Sequence, residues 1–175
     1  GRTTIFDYWS IPTLRRWLQS GAPSMTRMTA AERRLRKQYA TLLKLCNSEP
    51  AIREGVMFDL MYVNLSNPRF DPHRQFAYLR HASGSTLLIA VNFGDTPAEM
   101  AINIPAHAFD FLDIAPGDRT ATDLLTGDTQ TIHFTDEKPA EVSVAAHGAV
   151  ILRLEKASVS PEVKPEEKTP NKKAK

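Results

Sequence analysis

Hydrophobic positions recur along the chain with two different periods, and the change between the periods divides the sequence. Up to about residue 50, apolar residues follow a helical spacing, and from about Gly55 they alternate as in a strand. After Leu154 the alternation stops, and lysine, glutamate and proline dominate. The sequence therefore predicts a helical segment at 1–50, a β domain at 51–154 and a disordered charged tail at 155–175.

Two helices are predicted in the first segment from their start and stop signals. A short helix starts at Pro12, after Ser10, and ends before Gly21. A longer helix starts after Thr29, because Glu32 three residues later completes a capping box.

The longer helix carries an apolar stripe that spans nearly half of its circumference. Its members recur at spacings of three and four residues: Ala31, Leu35, Tyr39, Leu42 and Cys46, flanked by Leu43 and Leu45. A stripe this broad requires a large body to pack against, which two helices in fifty residues do not supply. Cys46, the only cysteine, excludes an intramolecular disulfide and is expected to be a buried, unreactive thiol.

Eight short strands are predicted in the β domain, separated by turn residues. They span 56–63, 75–81, 86–93, 99–104, 120–125, 129–135, 141–145 and 149–154. No helix-length insert interrupts them, so the pattern indicates a mainly β fold, an antiparallel sandwich or barrel.

The stretch LLIAVNFGDTPAEMAINIP, residues 87–105, predicts a hairpin with Gly94 and Asp95 in its turn. Its first strand is apolar on both faces, as is typical of a central strand. The second strand alternates, and we expect it to bury Met100, Ile102 and Ile104 and to expose Glu99, Ala101 and Asn103 nearer an edge.

Charge is distributed unevenly, although the formal net charge is only +2. Residues 1–50 hold nine basic and three acidic side chains, whereas residues 51–154 hold seven basic and thirteen acidic ones. The basic excess lies on one helix without interleaved aromatic residues, which disfavours nucleic-acid binding. All apolar runs are shorter than ten residues, so no membrane-spanning helix is predicted.

Motifs for cofactor, metal or nucleophilic chemistry are not found in the sequence. The five histidines lack the paired spacing of metal ligands, and no phosphate-binding glycine loop or nucleophile elbow is present. Most carboxylates lie at turns, where they serve turn geometry. Asp123 lies instead within a strand-like run, where we expect structural hydrogen bonding.

Aromatic residues cluster at the start of the chain, at Phe6, Tyr8, Trp9 and then Trp17. Next to Asp7 they suit two roles. They can stack on the apolar face of a sugar whose hydroxyl groups need acceptors, or they can anchor the segment to a core.

The order of several short segments resembles the end of an α-amylase-type enzyme, glycoside hydrolase family 13. These segments are TTIFDYWSIPTLRRWL, LLKLCNSEPAI, FAYLR, LLIAVNF, IPAHAF, DLLTG and AAHGAVILRL. The resemblance implies that 1–50 corresponds to the last part of a (β/α)8 catalytic barrel. It implies that 51–154 corresponds to the eight-stranded Greek-key sandwich called domain C, which follows the barrel.

Site and partner expectations follow from the same resemblance. Tyr8 and Trp9 match a loop at the sugar-binding face, so they are the expected substrate-binding residues. The expected partners are the catalytic barrel of the same polypeptide and an α-glucan oligosaccharide such as starch or maltodextrin. The family's catalytic Asp, Glu and Asp lie on earlier barrel strands, and its Asn-His-Asp marker has no counterpart here. We therefore assign no catalytic residue, cofactor or metal to this chain.

Two other functions compete with a glycosidase fragment that is inactive alone. One is a sandwich that binds carbohydrate without cleaving it, which should expose aromatic residues on the sandwich. Residues 94–154 contain only Phe109, Phe111 and Phe134, which weakens this alternative. The other is a protein-interaction module that uses the basic helix.

Overall fold

The computed structural model describes residues 11–18, 23–82 and 84–155 of the chain. The predicted disordered tail lies outside these residues, apart from Glu155, and so do residues 1–10. Within the described part the fold is mainly β, with eight strands and five short or medium helices.

Three of the five helices precede the first strand, and the other two lie between strands. The five are α1 (Pro12–Leu18), α2 (Ala30–Ser48), α3 (Pro50–Arg53), α4 (Met61–Asn64) and α5 (Ala106–Leu112). The predicted starts of the first two are confirmed. In the capping box of α2, the Glu32 amide donates to the Thr29 hydroxyl (3.3 Å) and the Thr29 amide donates to the Glu32 carboxylate (2.8 Å).

Eight strands form two antiparallel sheets. They are β1 (Val56–Asp59), β2 (Gln75–Ala82), β3 (Ser85–Asn92), β4 (Ala98–Ile102), β5 (Gly117–Asp123), β6 (Thr129–Phe134), β7 (Ala140–Val144) and β8 (Gly148–Leu154). The larger sheet has the order β1-β2-β3-β8-β5-β6, and the smaller one pairs β4 with β7. The last strand, β8, lies beside β5, the first of the final four strands, as in a Greek key, although only residues 145–147 connect β7 to β8.

The main core lies between the two sheets. Leu88, Ala90 and Leu152 reach it from the large sheet, and Met100 and Val142 reach it from the small one. Residues at odd positions of β3, Leu87 and Ile89, instead belong to a second cluster on the outer face of the large sheet. Strand β3 is apolar on both faces because helices cover its outer face. Its predicted central position in the sheet is confirmed.

The predicted hairpin between β3 and β4 is wrong. Both edges of β3 are occupied, by β2 and β8, so the chain crosses to the other sheet and β4 pairs with β7. Asn92 supports this crossover: its amide nitrogen donates to the carbonyl oxygens of Thr96 (2.8 Å) and Ala145 (3.1 Å). Local turn chemistry at Gly94 and Asp95 does not distinguish a hairpin from such a crossover.

Three smaller expectations are also corrected. The first strand ends at Asp59 instead of residue 63, because the Asp59 carboxylate accepts the Met61 amide (2.9 Å) and a helical turn follows. Helix α5 occupies a segment expected to hold no helix. Ala101 is buried, not exposed, because the loop before β2 covers it: its amide donates to the Arg69 carbonyl (3.3 Å).

Candidate functional site

A buried carboxylate joins the helical segment to the sandwich. Glu49 lies between α2 and α3, and only 2% of its surface is exposed. One carboxylate oxygen accepts a hydrogen bond from the Ser85 hydroxyl (2.6 Å) at the start of β3. The other oxygen pairs with the Arg153 guanidinium on β8, whose Nε lies 3.2 Å away. Two neighbouring strands of the large sheet therefore hold the end of α2 in place.

The electrostatic balance at Glu49 favours its charged form. Burial by itself would raise the pKa of the Glu49 carboxyl, since a charge is costly away from water. The hydrogen bonds from Ser85 and Arg153, together with the positive charge of Arg153, outweigh burial and hold the pKa below its ordinary value. Glu49 is thus an ionised anchor at neutral pH.

Backbone contacts of α3 complete the junction. Arg80 on β2 donates to the carbonyl oxygens of Ala51 (2.9 Å) and Ile52 (2.6 Å), which the short helix leaves free. Gly55 follows, and a Cβ atom there would lie 2.1 Å from the Ala51 oxygen and 2.9 Å from the His81 oxygen. Only glycine permits this close approach of α3 to β2.

Helix α2 presents its apolar stripe to solvent. Leu35, Tyr39 and Leu42 are 55%, 62% and 43% exposed, and α2 has no fully buried residue. Cys46 continues the stripe at the helical period and is exposed as well, so the expectation of a buried thiol is wrong. The physical reason is that no described residue covers this face of α2. We call this face the docking stripe: Leu35, Tyr39, Leu42 and Cys46.

Open grooves lie on both sides of the docking stripe. One, of about 650 Å³, separates Leu35 and Leu42 from Val91 and Ala149 on the sheet. The other, of about 400 Å³, lies between the stripe and α1, where Leu14 and Trp17 line it. Only the C-terminal end of α2 packs firmly, through Leu45, on the outer cluster of the sheet. The stripe is therefore underpacked along most of its length.

Polar contacts tie α1 to the start of α2. The Thr13 hydroxyl donates to one oxygen of Glu32 (2.8 Å), and Arg16 forms an ion pair with the same carboxylate. The hydrogen bond from Arg16, followed by those from the Thr29 amide and Thr13, lowers the pKa of Glu32 to about 2. Glu32 thus serves the helix cap and the α1–α2 contact together.

The residues that the sequence singled out are not gathered into one site. Tyr8 and Trp9, the predicted substrate-binding residues, lie outside the described residues. Asp123 is buried and accepts the amides of Leu125 (3.1 Å) and Ile151 (3.2 Å), in agreement with a structural role. Within residues 11–18, 23–82 and 84–155, no group of three or more His, Cys, Asp or Glu side chains is placed to hold a metal.

Sequence reasoning missed the anchor residues. Glu49 and Arg153 are 104 positions apart, and no local pattern links them. One sequence signal nonetheless marks Glu49 as unusual. It is a charged residue at the next position of the apolar stripe, immediately before Pro50, where a helix must end. No helix in the described part of the chain is both long and apolar enough to cross a membrane.

The fold is shared with part of several solved α-amylases. AmyP, in its complex with maltose, matches 79% of this chain over 25% of its own length, with a TM-score of 0.55 and 16% identity. The α-amylase GTA from Geobacillus thermoleovorans, complexed with acarbose, matches 75% of this chain over 24% of its own (TM-score 0.54, 14% identity). An Anoxybacillus α-amylase matches 71% over 23% (TM-score 0.50, 17% identity).

The similarity covers most of this chain but only a small part of each α-amylase. The chain spans about a quarter of the length of the α-amylases it matches. No family model matches the sequence, and no curated protein matches it. At identities below 20% the shared feature is the fold, and at this level the resemblance to α-amylase-type enzymes is confirmed.

Proposed function

We propose that this chain is the C-terminal part of an α-amylase-type glycosidase that acts on α-glucans such as starch or maltodextrin. In this proposal residues 1–50 complete the catalytic barrel, 51–154 form the sandwich that stabilises it, and 155–175 form a charged tail. The similarity in fold to about a quarter of several α-amylases supports the proposal.

The observation that carries the proposal is the docking stripe, which is exposed although an ion pair with the buried carboxylate of Glu49 attaches the end of α2 to the sandwich. Leu35, Tyr39 and Leu42 are largely exposed, although each would gain about 1 to 2 kcal/mol from full burial. At the same time Glu49 fixes the end of α2 on the sheet. A helix that is fixed at its C-terminal end and has an open apolar face suits the last helix of a barrel whose other helices precede it.

The reaction itself is assigned to the preceding part of the polypeptide. A retaining glycosidase needs two carboxyl groups about 5 to 5.5 Å apart, one as nucleophile and one as general acid and base. The sequence motifs that supply them in this family have no counterpart in residues 1–175. The 175-residue chain is therefore expected to be inactive alone.

The decisive experiment compares two proteins on maltodextrin. The coding sequence upstream of Gly1 is determined, and the longer polypeptide and the 175-residue chain are assayed for release of reducing ends. We expect turnover by the longer polypeptide and none by the chain alone. Turnover by the chain alone, or an upstream region without a barrel, would contradict the proposal.

Tyr8 and Trp9 are proposed to line a substrate subsite in the complete enzyme. Replacing Trp9 by alanine there should raise KM for oligosaccharides, since a stacking surface for the sugar ring is lost. Trp17→Ala, an aromatic removal on α1, serves as the comparison. An unchanged KM with a lowered Tm in the Trp9 variant would assign Trp9 to packing instead.

A further inference from the structure

A second surface, on the opposite side of the large sheet from the docking stripe, gathers four aromatic rings. We call it the aromatic patch: Phe58, Tyr62, His107 and Phe111. The Phe58 ring is central, with its centroid 5.4 Å from His107, 5.7 Å from Phe111 and 6.5 Å from Tyr62. Phe58 packs on the main core, whereas Tyr62 and Phe111 are 47% and 62% exposed.

The patch is built from two short helices that hold its rings in place. Tyr62 lies on α4, which the buried Asn64 fixes by donating to the carbonyl oxygens of Leu60 (2.8 Å) and Asn103 (3.1 Å). His107 and Phe111 lie four residues apart on α5, whose opposite face buries Ala108, Phe109 and Leu112. The Tyr62 hydroxyl and the His107 Nε2 atom are hydrogen-bonded at 2.7 Å. The exposed rings are therefore preorganised, which lowers the entropic cost of binding a ligand.

The position of the patch keeps it free in the proposed full-length enzyme. Phe58 joins the core between the sheets, whereas Leu45 and Ala51 of the helical segment join the cluster on the outer face. Alternation along β3 places these two clusters on opposite faces of the large sheet. A body that covers the docking stripe therefore approaches from the other side of the sheet.

Charge around the patch selects against anionic ligands. The segments that build it, 55–68 and 98–118, contain no lysine or arginine, but they contain aspartates at 59, 110, 113 and 118. Nucleic acids, phosphorylated groups and anionic lipid surfaces would meet no positive charge from these segments. Burial, followed by the charge of Asp59, raises the pKa of Tyr62, so its hydroxyl remains a neutral donor at pH 7.

A neutral sugar suits both the exposed aromatic rings and the lack of positive charge in the segments that build the patch. The C–H face of a pyranose ring stacks on an exposed aromatic ring, and its hydroxyl groups need donors and acceptors such as tyrosine, imidazole and carboxylate. The rings meet at angles of 52° to 60° around Phe58 and form no flat platform. Inclined rings fit a curved chain of α-linked glucose better than the flat ribbon of a β-linked glucan.

We propose that the aromatic patch is a non-catalytic binding site for α-1,4-linked glucan chains, with sugar rings stacked on Tyr62 and Phe111. The choice of an α-glucan among neutral sugars rests on the proposed function. The site is not evident in the sequence, because Phe58 and Tyr62, which precede β2, join His107 and Phe111 only in the fold.

The test uses the 175-residue chain in native gels that contain soluble starch, with β-linked glucan and dextran in parallel gels. We expect starch to retard the chain several-fold more than either of the other polymers. Phe111→Ala and Tyr62→Ala should each remove most of the retardation. Phe93→Ala is the matched control, because Phe93 is 67% exposed but lies at the β3–β4 crossover. It should migrate like the parent chain.

Several results would overturn the proposal. These are no retardation by starch, equal retardation by all three polymers, or retention of starch binding in both patch variants. Unchanged Tm values of the variants would show that a loss of binding is not a loss of folding. The variant Phe111→Trp, which keeps an aromatic ring at this position, should retain binding. If Phe111→Ala instead abolishes self-association measured by sedimentation, with no starch binding in the parent, the patch is a protein interface and the proposal fails.

Failure here is distinguishable from failure of the proposed function. The gel assay depends only on this chain, whereas the glycosidase proposal is tested by turnover in the longer polypeptide. An active longer enzyme with a chain that ignores starch would refute the binding site alone. Starch binding by the chain, together with an inactive longer polypeptide, would refute the glycosidase proposal alone.

Discussion

At the scale of single residues, Glu49 connects the end of α2 to two strands of the large sheet. It is almost fully buried, and each of its oxygens has a partner on a different strand. By contrast, the ion pair of Arg53 with Glu54 is exposed on both sides. Surface pairs contribute little to stability, whereas a buried carboxylate such as that of Glu49 needs its hydrogen-bonded partners to offset the cost of burying its charge.

Replacing Glu49 by glutamine should therefore lower the free energy of unfolding by about 2 kcal/mol, through the loss of charge-assisted hydrogen bonds. Urea denaturation at pH 7 measures this change. Glu54→Gln is the matched control, and it should change stability by less than about 0.5 kcal/mol. Equal effects of the two substitutions would show that Glu49 is not an anchor.

The effect of Glu49→Gln on the free energy of unfolding should depend on pH, because the pKa of Glu49 is lowered in the folded protein. A carboxyl whose pKa is lower in the folded state stabilises the fold at pH values above its unfolded pKa, near 4.5. That contribution is lost as the pH falls through the folded pKa. The difference between the parent chain and Glu49→Gln should therefore be constant at neutral pH and shrink below about pH 4.5.

At the scale of elements, α2 and the central strands differ in what holds them. Strand β3 is paired along both edges and contributes to clusters on both of its faces. Helix α2 has a complete capping box but no fully buried residue, and it packs mainly through Leu45. Most helical stability in proteins comes from tertiary packing, so the order of this 19-residue helix depends on its two ends.

Amide hydrogen exchange should therefore separate the two elements in the 175-residue chain. We expect amides of β3 and β8 to exchange only through global unfolding, and those in the middle of α2 to exchange orders of magnitude faster through local opening. Mass spectrometry on peptides covering 30–48 and 85–92 measures both. Comparable protection of the two segments would contradict the underpacking of α2.

Parts of the candidate site were predictable at this scale, and other parts were not. Both the capping box at Thr29 and Glu32 and the broad apolar stripe depend on residues close in sequence. The capping motif and the helical spacing of apolar residues therefore predicted them correctly. The exposure of Cys46 is not local: the same spacing describes a buried face when a neighbour covers it. The crossover at Asn92 escaped prediction for a related reason, since strand pairing depends on which edges are already occupied.

At the scale of the whole molecule, the docking stripe gives the glycosidase proposal a thermodynamic test. Leu35 on the stripe and Leu65 after α4 are similarly exposed in this chain, at 55% and 61%. In the 175-residue chain, alanine at either position should therefore cost less than about 1 kcal/mol.

In the complete polypeptide the two substitutions should diverge. Leu35→Ala should cost about 3 kcal/mol there, since a barrel would bury this side chain, whereas Leu65→Ala should remain nearly neutral. Thermal or urea unfolding of the four variants measures the contrast. If Leu35→Ala is as mild in the longer protein as in the chain, then no body covers the stripe.

Features that depend on near neighbours were predictable from the sequence. These are the two periodicities, the starts of α1 and α2, the eight strands and the central position of β3, because side-chain alternation and capping act within a few residues. Features that depend on distant partners were not predictable in this way. The fold pairs β4 with β7, Glu49 with Arg153 and Tyr62 with His107, because these contacts join positions 38 to 104 residues apart, which no local pattern encodes.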